Sequence, residues 1–142
     1  EVEAVRAVTR YISGNHVEAL KQNLRYQSAA VASGDNVGFH RFDLEFHAVL
    51  FDALGFERVK AVAETARLGL DRVRRLLNSR RRQEFTLQEH QVILDEIQQR
   101  NVSAAANAMG AHLDAVMKEL EAFAAANPEL FADLQSKSDG QS

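Results

Sequence analysis

The stretch EHQVILDEIQQRNVSAAANAMGAHL, residues 89 to 113, contains two apolar patterns of helical period with a break between them. The apolar residues before Asn101 include Ile93 and Ile97, and those after it include Met109. Two helices joined by so short a connection pack against each other in opposite directions. The stretch therefore predicts an antiparallel helical hairpin.

Helical signals continue on both sides of this hairpin. The 142 residues contain one proline, abundant Ala and Leu and few β-branched clusters, a composition that favours helices over strands. We therefore expect an all-α fold, an antiparallel bundle of six or seven helices. Helix boundaries are expected near Gly14, Gly34, Gly55, the arginine-rich joint at residues 80–82, Asn101 and Pro128. Thr86, with Glu89 three residues later, makes a capping box that predicts the start of the fifth helix.

The composition also restricts the class of protein. There is no cysteine, which excludes disulfides and thiolate metal sites. No apolar run approaches the roughly 20 residues of a membrane span, and no signal-peptide pattern opens the chain, so we expect a cytoplasmic protein with no membrane partner. The net charge of −3 provides no overall attraction to nucleic acid.

The domain organisation is expected to be simple. Residues 1–135 are long enough to form one domain with its own core, and residues 136–142 form a polar tail. The helical pattern is already running at Glu1, which is not a methionine, so we expect that a further segment precedes this chain.

Four polar side chains are predicted to point into the bundle. His90 lies within the apolar stripe of the fifth helix, and His112 lies at the edge of the stripe on the sixth. Both are equally distant in sequence from Asn101, so they are expected at the same height on facing helices. Asp43 and His47, in the segment DLEFH, lie one turn apart at the edge of the buried stripe of the third helix. A buried acid must have a cation, hydrogen-bond donors or a metal facing it.

This set of side chains favours a metal site, with hydrogen-bonded core histidines as the alternative. One carboxylate and three imidazoles suit zinc, nickel, manganese or iron, and zinc is the first expectation. Four protein ligands on a six-coordinate ion leave positions open for water or a small acid. The prediction requires the third helix to lie beside the hairpin.

The fourth helix carries arginines at the edge of its predicted buried face. That face comprises Val59, Val62, Ala63, Ala66, Leu70, Val73 and Leu77. Arg67 and Arg74 lie where a guanidinium can reach a polar cavity and hold a carboxylate through two hydrogen bonds. Alternatively, Arg67 pairs with Asp71 on the same helix. A run of arginines is expected to be a solvated cap, or else a nucleic-acid patch: Arg72, Arg74, Arg75, Arg80, Arg81 and Arg82.

Catalytic motifs are scarce. The sequence contains no H-E-x-x-H motif, no nucleophile elbow and no phosphate-binding glycine loop. A metal-dependent hydrolase could use Glu45 or Glu89 as its base, but Glu45 is predicted to face away from the buried stripe. We therefore expect that the chain is not an enzyme, with a metal-dependent hydrolase or a purely structural metal-binding bundle as alternatives.

Three segments carry a resemblance to a known family. DLEFH is similar to its D-x-x-F-H-like segment, EHQVILDEI to its e-H-x-x-I-L-x-A-I segment, and AANAMGAHL to its Hl segment after A-x-x-x-M. Over about residues 1 to 125, the chain resembles the C-terminal effector-binding (FCD) domain of FadR-like regulators in the GntR superfamily. Glu96, where an alanine is usual, and the turn segment LFDALGFERV depart from the family pattern without affecting a candidate ligand.

The resemblance implies a bundle that is usually dimeric, with a metal held by Asp43, His47, His90 and His112. It implies a small organic acid as effector, bound at open positions of the metal and near basic side chains. A winged helix-turn-helix domain would precede Glu1, and DNA would be contacted only through that absent domain. Acid binding would then favour one arrangement of the bundle, and the dimer would pass the change to the DNA-reading domains.

Overall fold

Helices account for nearly all of the described structure. The computed structural model describes residues 1–132, apart from the exposure and contacts of Val59, Gly69, Leu70, Arg72 and Val73. Its elements are α1 (Val2–Tyr11), α2 (Gly14–Ser33), α3 (Asn36–Ala53), α4 (Glu57–Leu76), α5 (Arg80–Gln98), α6 (Val102–Ala126) and a short 3-10 helix (Pro128–Leu130). The predicted all-α bundle is confirmed, whereas the predicted polar tail at residues 136–142 lies outside the described residues. Within residues 1–132, no helix has both the length and the apolar character needed to cross a membrane.

Local signals place most helix ends where the sequence predicts them. Gly34 ends α2 in the left-handed conformation, with a φ of 71°, which a residue without a Cβ adopts at little cost. The Asp35 carboxylate caps α3 by accepting a hydrogen bond from the backbone N–H of Gly38. The side chain of Asn101 caps α6 in the same way through the N–H of Ala104. These caps fix the starts of two helices that carry candidate ligands.

The turn between α5 and α6 also binds α1. Arg100 has a φ of 58°, and it is the one non-glycine residue with a positive φ in the described part of the chain. Its guanidinium donates hydrogen bonds to the carbonyls of Thr9 (3.2 Å) and Ile12 (3.0 Å) at the C-terminal end of α1. The hairpin is thereby attached to α1, which also packs along α6.

The core lies where α1, α2, α3, α5 and α6 face one another. It includes Ile93, Ile97 and Met109 of the predicted hairpin. The buried members of this core are Val5, Val8, Ile12, Leu20, Leu24, Phe46, Leu50, Ile93, Leu94, Ile97, Ala105 and Met109. Burying a large apolar side chain stabilises a protein by about 1.5–3 kcal/mol. The ring of Phe46 on α3 stacks on the imidazole of His90 on α5, so the third helix lies beside the hairpin, as the metal-site prediction requires.

The start of α5 differs from the capping-box prediction, which is wrong. The helix begins at Arg80, and its N-cap is Ser79, whose hydroxyl accepts a hydrogen bond from the Arg82 backbone N–H. Thr86 lies inside the helix, where its hydroxyl accepts from Arg82 Nε at 3.0 Å. The arginine-rich segment is therefore the first turn of α5. A pair such as Arg80 Nε with Glu84 Oε1, 3.2 Å apart, offsets the unfavourable placement of positive charge at a helix N-terminus.

The buried face of α4 also differs from the prediction. Val62 is 71% exposed and Ala66 is exposed, so the predicted apolar inner face is wrong at these residues. Of the other residues predicted for this face, Ala63 and Leu77 are half-buried, and the side chains of Val59, Leu70 and Val73 lie outside the described set. Arg67 is only 9% exposed, and the Arg74 side chain is only 14% exposed. Both arginines turn inward because carboxylates inside the bundle need positive partners.

Candidate metal centre

Four side chains from three helices converge inside the bundle. Asp43 and His47 come from α3, His90 from α5 and His112 from α6, and all four are buried. Each offers one ligand atom, and these atoms all lie within 4.8 Å of one another. The structure thus brings together the four residues that the sequence predicts as metal ligands.

The distances among these atoms suit coordination of a single ion. Asp43 Oδ1 lies 3.4 Å from His90 Nε2 and 3.5 Å from His47 Nε2. Two ligand atoms bound at about 2.1 Å to one ion lie about 3.0 Å apart at the right angles of six-coordinate geometry and about 3.4 Å apart at the tetrahedral angle. The three imidazole rings have centroid separations between 4.7 Å, for His90 and His112, and 5.3 Å, for His47 and His112. Small adjustments of the side chains would therefore complete a coordination shell.

Two of the histidines are held by carboxylates on the side away from the centre. His47 Nδ1 is 2.7 Å from Glu1 Oε2, and His112 Nδ1 is 2.7 Å from Glu89 Oε2. A carboxylate oxygen accepts and does not donate, so both Nδ1 atoms carry a proton, and in a neutral ring Nε2 then keeps its lone pair. Such an outer hydrogen bond is usual for histidines that bind metals, because it orients the ring and increases its basicity.

His90 is held by an amide and by an aromatic ring. Its Nδ1 lies 3.0 Å from Gln27 Oε1, so it also donates from Nδ1 and presents Nε2 to the centre. The ring of Phe46 stacks on the imidazole with 4.1 Å between centroids and 9° between planes. Hydrogen bonding and stacking together fix the plane of His90.

The atoms that face the centre have no hydrogen-bond partner within the described structure. They are Asp43 Oδ1 and the Nε2 atoms of His47, His90 and His112, and all are buried. A buried polar atom without a partner costs about 1–3 kcal/mol. Because all four atoms are acceptors, a single cation would satisfy them together. The residues present therefore fit a divalent metal ion.

Burial and charge set the protonation states that metal ligands need. Burial, followed by repulsion from His112, lowers the pKa of His90 well below its usual value. Burial is also the main cause of the lowered pKa of His112. Burial acts to raise the pKa of Asp43, but the neighbouring histidines and Arg74 outweigh it and leave that pKa well below its usual value. At neutral pH, His90 and His112 are neutral and Asp43 is ionised, as metal binding requires.

A small cavity opens beside Asp43. Its volume is about 40 Å³, and its lining includes His40, Asp43, Arg74 and Arg82. Arg74 Nη2 lies 3.6 Å from Asp43 Oδ2, the carboxylate oxygen that does not face the other ligands. A space of this volume holds roughly three water-sized groups. The cavity thus combines positive charge with direct access to one candidate ligand.

Arg82 connects this cavity to His112. It donates a hydrogen bond from Nη2 to Glu89 Oε2, the same oxygen that accepts from His112 Nδ1. Its Nε lies 3.7 Å from Glu119 Oε2 on α6. The Arg82 side chain is only 12% exposed, so its expected place in a solvated arginine cap is wrong.

Arg67 approaches the centre from α4. Its Nη2 donates to Glu1 Oε1, and the other oxygen of the same carboxylate holds His47. Burial acts to raise the pKa of Glu1, but His47 and Arg67 outweigh it and leave that pKa strongly lowered. The alternative pairing of Arg67 with Asp71 is not found, since Asp71 instead bonds to His40. Of the two predicted effector-binding residues, Arg74 lines the cavity and Arg67 contacts the outer partner of His47.

The sequence does not predict the outer partners of the histidines in that role. Gln27 lies between Leu24 and Val31 in an apolar stripe of α2, and Glu89 is predicted only in a capping box or as the base of a hydrolase. A polar residue in an apolar stripe was the signal that could have identified Gln27. Of the two candidate catalytic bases, Glu45 is exposed. Glu89 already accepts hydrogen bonds from His112 and Arg82.

Together, the fold and the site define an all-α domain with a buried centre of three imidazoles and one carboxylate. The FCD domain model matches residues 1–115, which include all four residues of the centre. The chain therefore belongs to the FCD domain family, and the resemblance seen in its motifs is confirmed. The family is one of regulatory rather than catalytic domains, in agreement with the prediction that the chain is not an enzyme.

A curated relative is similar over much of the chain. It is described as an uncharacterized HTH-type transcriptional regulator in an unstable DNA locus of Streptomyces ambofaciens. The two sequences are 35% identical over 95 residues, which cover 66% of this chain and 40% of the relative. The matched segment is thus less than half of the relative's length.

Proposed function

We propose that this chain is the sensing domain of a bacterial transcriptional regulator and that it binds a small organic acid at a divalent metal centre. A separate domain would contact DNA, as the description of the relative from Streptomyces ambofaciens as an HTH-type regulator suggests. Two copies of the sensing domain would form a homodimer, by analogy with the family that the motifs resemble. The protein would act in the cytoplasm.

The observation that carries this proposal is the group of four buried acceptors that have no hydrogen-bond partner in the described part of the chain. A core that served only stability would pair such atoms with donors or replace them with apolar groups, because unpaired burial is costly. Zinc is the first candidate, since imidazole nitrogens and a carboxylate oxygen are its usual ligands, and nickel, manganese and iron accept the same set. When bound, such an ion supplies positive charge and open positions for a carboxylate.

The surrounding arginines favour an anionic effector. Arg74 and Arg82 line the cavity beside Asp43, and Nε and Nη1 of Arg67 are buried with no hydrogen-bond partner among the described side chains. A guanidinium binds a carboxylate through parallel, charge-assisted hydrogen bonds. Because the cavity of about 40 Å³ holds roughly three water-sized groups, it favours a short carboxylic or hydroxy acid over a sugar acid.

Placement of the arginines indicates how an acid would change the domain. Arg74 lies on α4 and is near Asp43, while Arg82 lies on α5 and is bonded to Glu89. An acid in the cavity would compete with both carboxylates and link the two helices through one ligand. Binding would therefore favour the arrangement in which α4 lies closest to α5, and the dimer would transmit this population shift.

Metal analysis tests the centre directly. We expect about one divalent ion per purified chain, and a higher melting temperature with metal than after treatment with a chelator. His112→Ala should lose the ion and the metal-dependent stabilisation, because it removes one of four ligands. His16→Ala is the matched control, since His16 bonds to Ser13 and Asp52 outside the centre. Unchanged metal content and melting temperature in His112→Ala would contradict the proposal.

Calorimetry of the metal-loaded chain tests the effector. The panel comprises short hydroxy acids, sugar acids and dicarboxylates, and we expect binding by a short acid that weakens about tenfold or more in Arg74→Gln, the loss of one charge-assisted contact. Metal binding without any acid binding would favour the purely structural alternative. Turnover of an acid would favour the hydrolase alternative.

A further inference from the structure

We propose that Asn23 and Gln27 are positioning residues that keep His90 in the tautomer able to bind a metal through Nε2. The purpose of this arrangement rests on the proposed metal centre, but the arrangement consists of the chain's own side chains. Asn23 and Gln27 both lie on α2, a helix that carries none of the four ligand residues.

Asn23, Gln27 and His90 form a relay of hydrogen bonds that begins at the Phe42 backbone carbonyl. The directions of these bonds follow from that end. The Phe42 backbone carbonyl only accepts, so the Asn23 atom 2.9 Å from it is the amide nitrogen. Asn23 therefore turns Oδ1 toward Gln27, and the Gln27 atom 2.7 Å away is the nitrogen Nε2. Gln27 then faces His90 Nδ1 with Oε1, at 3.0 Å. His90 must donate from Nδ1, which leaves the lone pair on Nε2.

Asp43 competes with Gln27 for the proton of His90, so the tautomer of His90 has to be controlled. Asp43 Oδ1 lies 3.4 Å from His90 Nε2, and an ionised carboxylate favours a proton on the nitrogen that faces it. A proton on Nε2 would occupy the lone pair that a metal needs. Gln27 counteracts Asp43 because its Oε1 accepts a hydrogen bond from a proton on Nδ1, on the other side of the ring.

His90 differs in this respect from the other two histidines of the centre. Nδ1 of His47 and Nδ1 of His112 each donate to a carboxylate, which accepts in either orientation. An amide accepts only at its oxygen and, turned by half a rotation, would present its nitrogen to the ring. Gln27 therefore selects a tautomer only because Asn23 fixes the orientation of its amide.

The relay is fully buried at its His90 end and joins three helices. Gln27 and His90 are both 0% exposed, so solvent does not reach the bond between them, whereas Asn23 is 5% exposed and its bond to the Phe42 carbonyl is partly buried. The far end is the carbonyl of Phe42, the residue before Asp43 on α3. The same relay thus ties α2 both to the backbone beside Asp43 and to the ring of His90 on α5.

Nuclear magnetic resonance of the ring nitrogens in the metal-free chain tests the proposal at neutral pH. The wild type is expected to carry the His90 proton on Nδ1. Gln27→Met keeps the side-chain length but removes the amide, and it should move the proton to Nε2, where Asp43 accepts it. Gln27→Glu should keep the proton on Nδ1, because its carboxylate accepts in either orientation. A proton that remains on Nδ1 in Gln27→Met would overturn the proposal.

A second pair of variants tests Asn23 and remains informative if Gln27→Met does not fold. Asn23→Leu leaves the Gln27 amide free to turn and should give a mixture of both His90 tautomers. Asn23→Asp still presents an oxygen to Gln27 Nε2 and should keep the proton on Nδ1. If Asn23 had a purely structural role, both variants would be destabilised and the His90 proton would move in neither. That result would exclude Asn23 from the relay.

Cobalt(II) titration then separates this proposal from the proposed function. Gln27→Met should bind the ion about 10–100-fold more weakly than the wild type, as expected for loss of an outer partner. Thr9→Val is the matched control, because it removes a buried hydroxyl that donates to the Val5 carbonyl, away from the centre. If the wild type bound neither cobalt nor zinc while the tautomers behaved as expected, the metal function would fail and the relay would stand. Equal cobalt affinity in Gln27→Met and the wild type, with Nδ1 protonated in both, would refute the relay alone.

Discussion

The α5–α6 hairpin and α4 bury their inner faces by different means. The hairpin turns Ile93, Ile97 and Met109 into the core and places its histidines among them. On α4, Arg67 is buried while Val62 is exposed. Apolar spacing therefore identified the inner face where the partners are apolar, and it failed where the partners are charged.

The largest expected contrast is in stability. Ile97→Ala should lower the free energy of unfolding of the metal-free chain by about 2–5 kcal/mol, because it leaves a cavity in a close-packed core. Val62→Ala should change it by less than about 0.5 kcal/mol, because that side chain already contacts solvent. Urea denaturation followed by circular dichroism measures both. Similar losses in the two variants would show that α4 buries Val62 after all.

A smaller effect is expected from the charged face of α4. Arg67→Met should lower the free energy of unfolding by about 2 kcal/mol, because it leaves the half-buried Glu1 carboxylate without its cation. Combining it with Glu1→Gln should cost less than the sum of the two single changes, since they remove the same ion pair. Strictly additive losses in this double-mutant cycle, measured by urea denaturation, would mean that the two side chains do not interact.

The observed start of α5, with Ser79 as its N-cap, leads to another prediction about stability. Ser79→Ala should cost about 1 kcal/mol, because it removes the hydroxyl that caps the helix, whereas Ser79→Gly should cost only a few tenths. Thermal denaturation of both variants measures the difference. If Ser79→Ala unfolded at the wild-type temperature, the helix would begin later, as the capping box at Thr86 predicts.

The smallest effect is expected at Asp71 on α4. The hydrogen bond to His40 is the main cause of the lowered pKa of Asp71. A carboxyl whose pKa is lowered by folding adds stability above its unfolded pKa of about 3.9, and this stability is lost as the pH falls through the folded pKa. Asp71→Asn should therefore destabilise the chain by about 0.5 kcal/mol at pH 6, and the difference should shrink between pH 5 and pH 3. A difference that grew on acidification would contradict this assignment.

Much of the fold and the inward direction of the four candidate ligands could be predicted because they depend on local spacing. His90 and His112 lie level with each other because they are equally distant in sequence from Asn101, and the predicted apolar residues Ile93, Ile97 and Met109 lie in the core. The inward turn of Arg67 could not be predicted in this way, because its partner, Glu1, is 66 residues away in sequence. Gln27 likewise reaches across 63 residues to His90. Such pairs are determined by the packing of whole helices.

Arg100 shows how a strained backbone and a useful side chain can occupy one residue. The left-handed conformation costs a non-glycine residue about 1–2 kcal/mol, which a glycine at this turn would avoid. Only a long cationic side chain, however, can reach the carbonyls of Thr9 and Ile12 that end α1. A glycine at this turn would relieve the backbone strain but would remove both hydrogen bonds to the end of the first helix. At residue 100, the chain thus accepts an unfavourable backbone conformation and gains two hydrogen bonds to a distant segment.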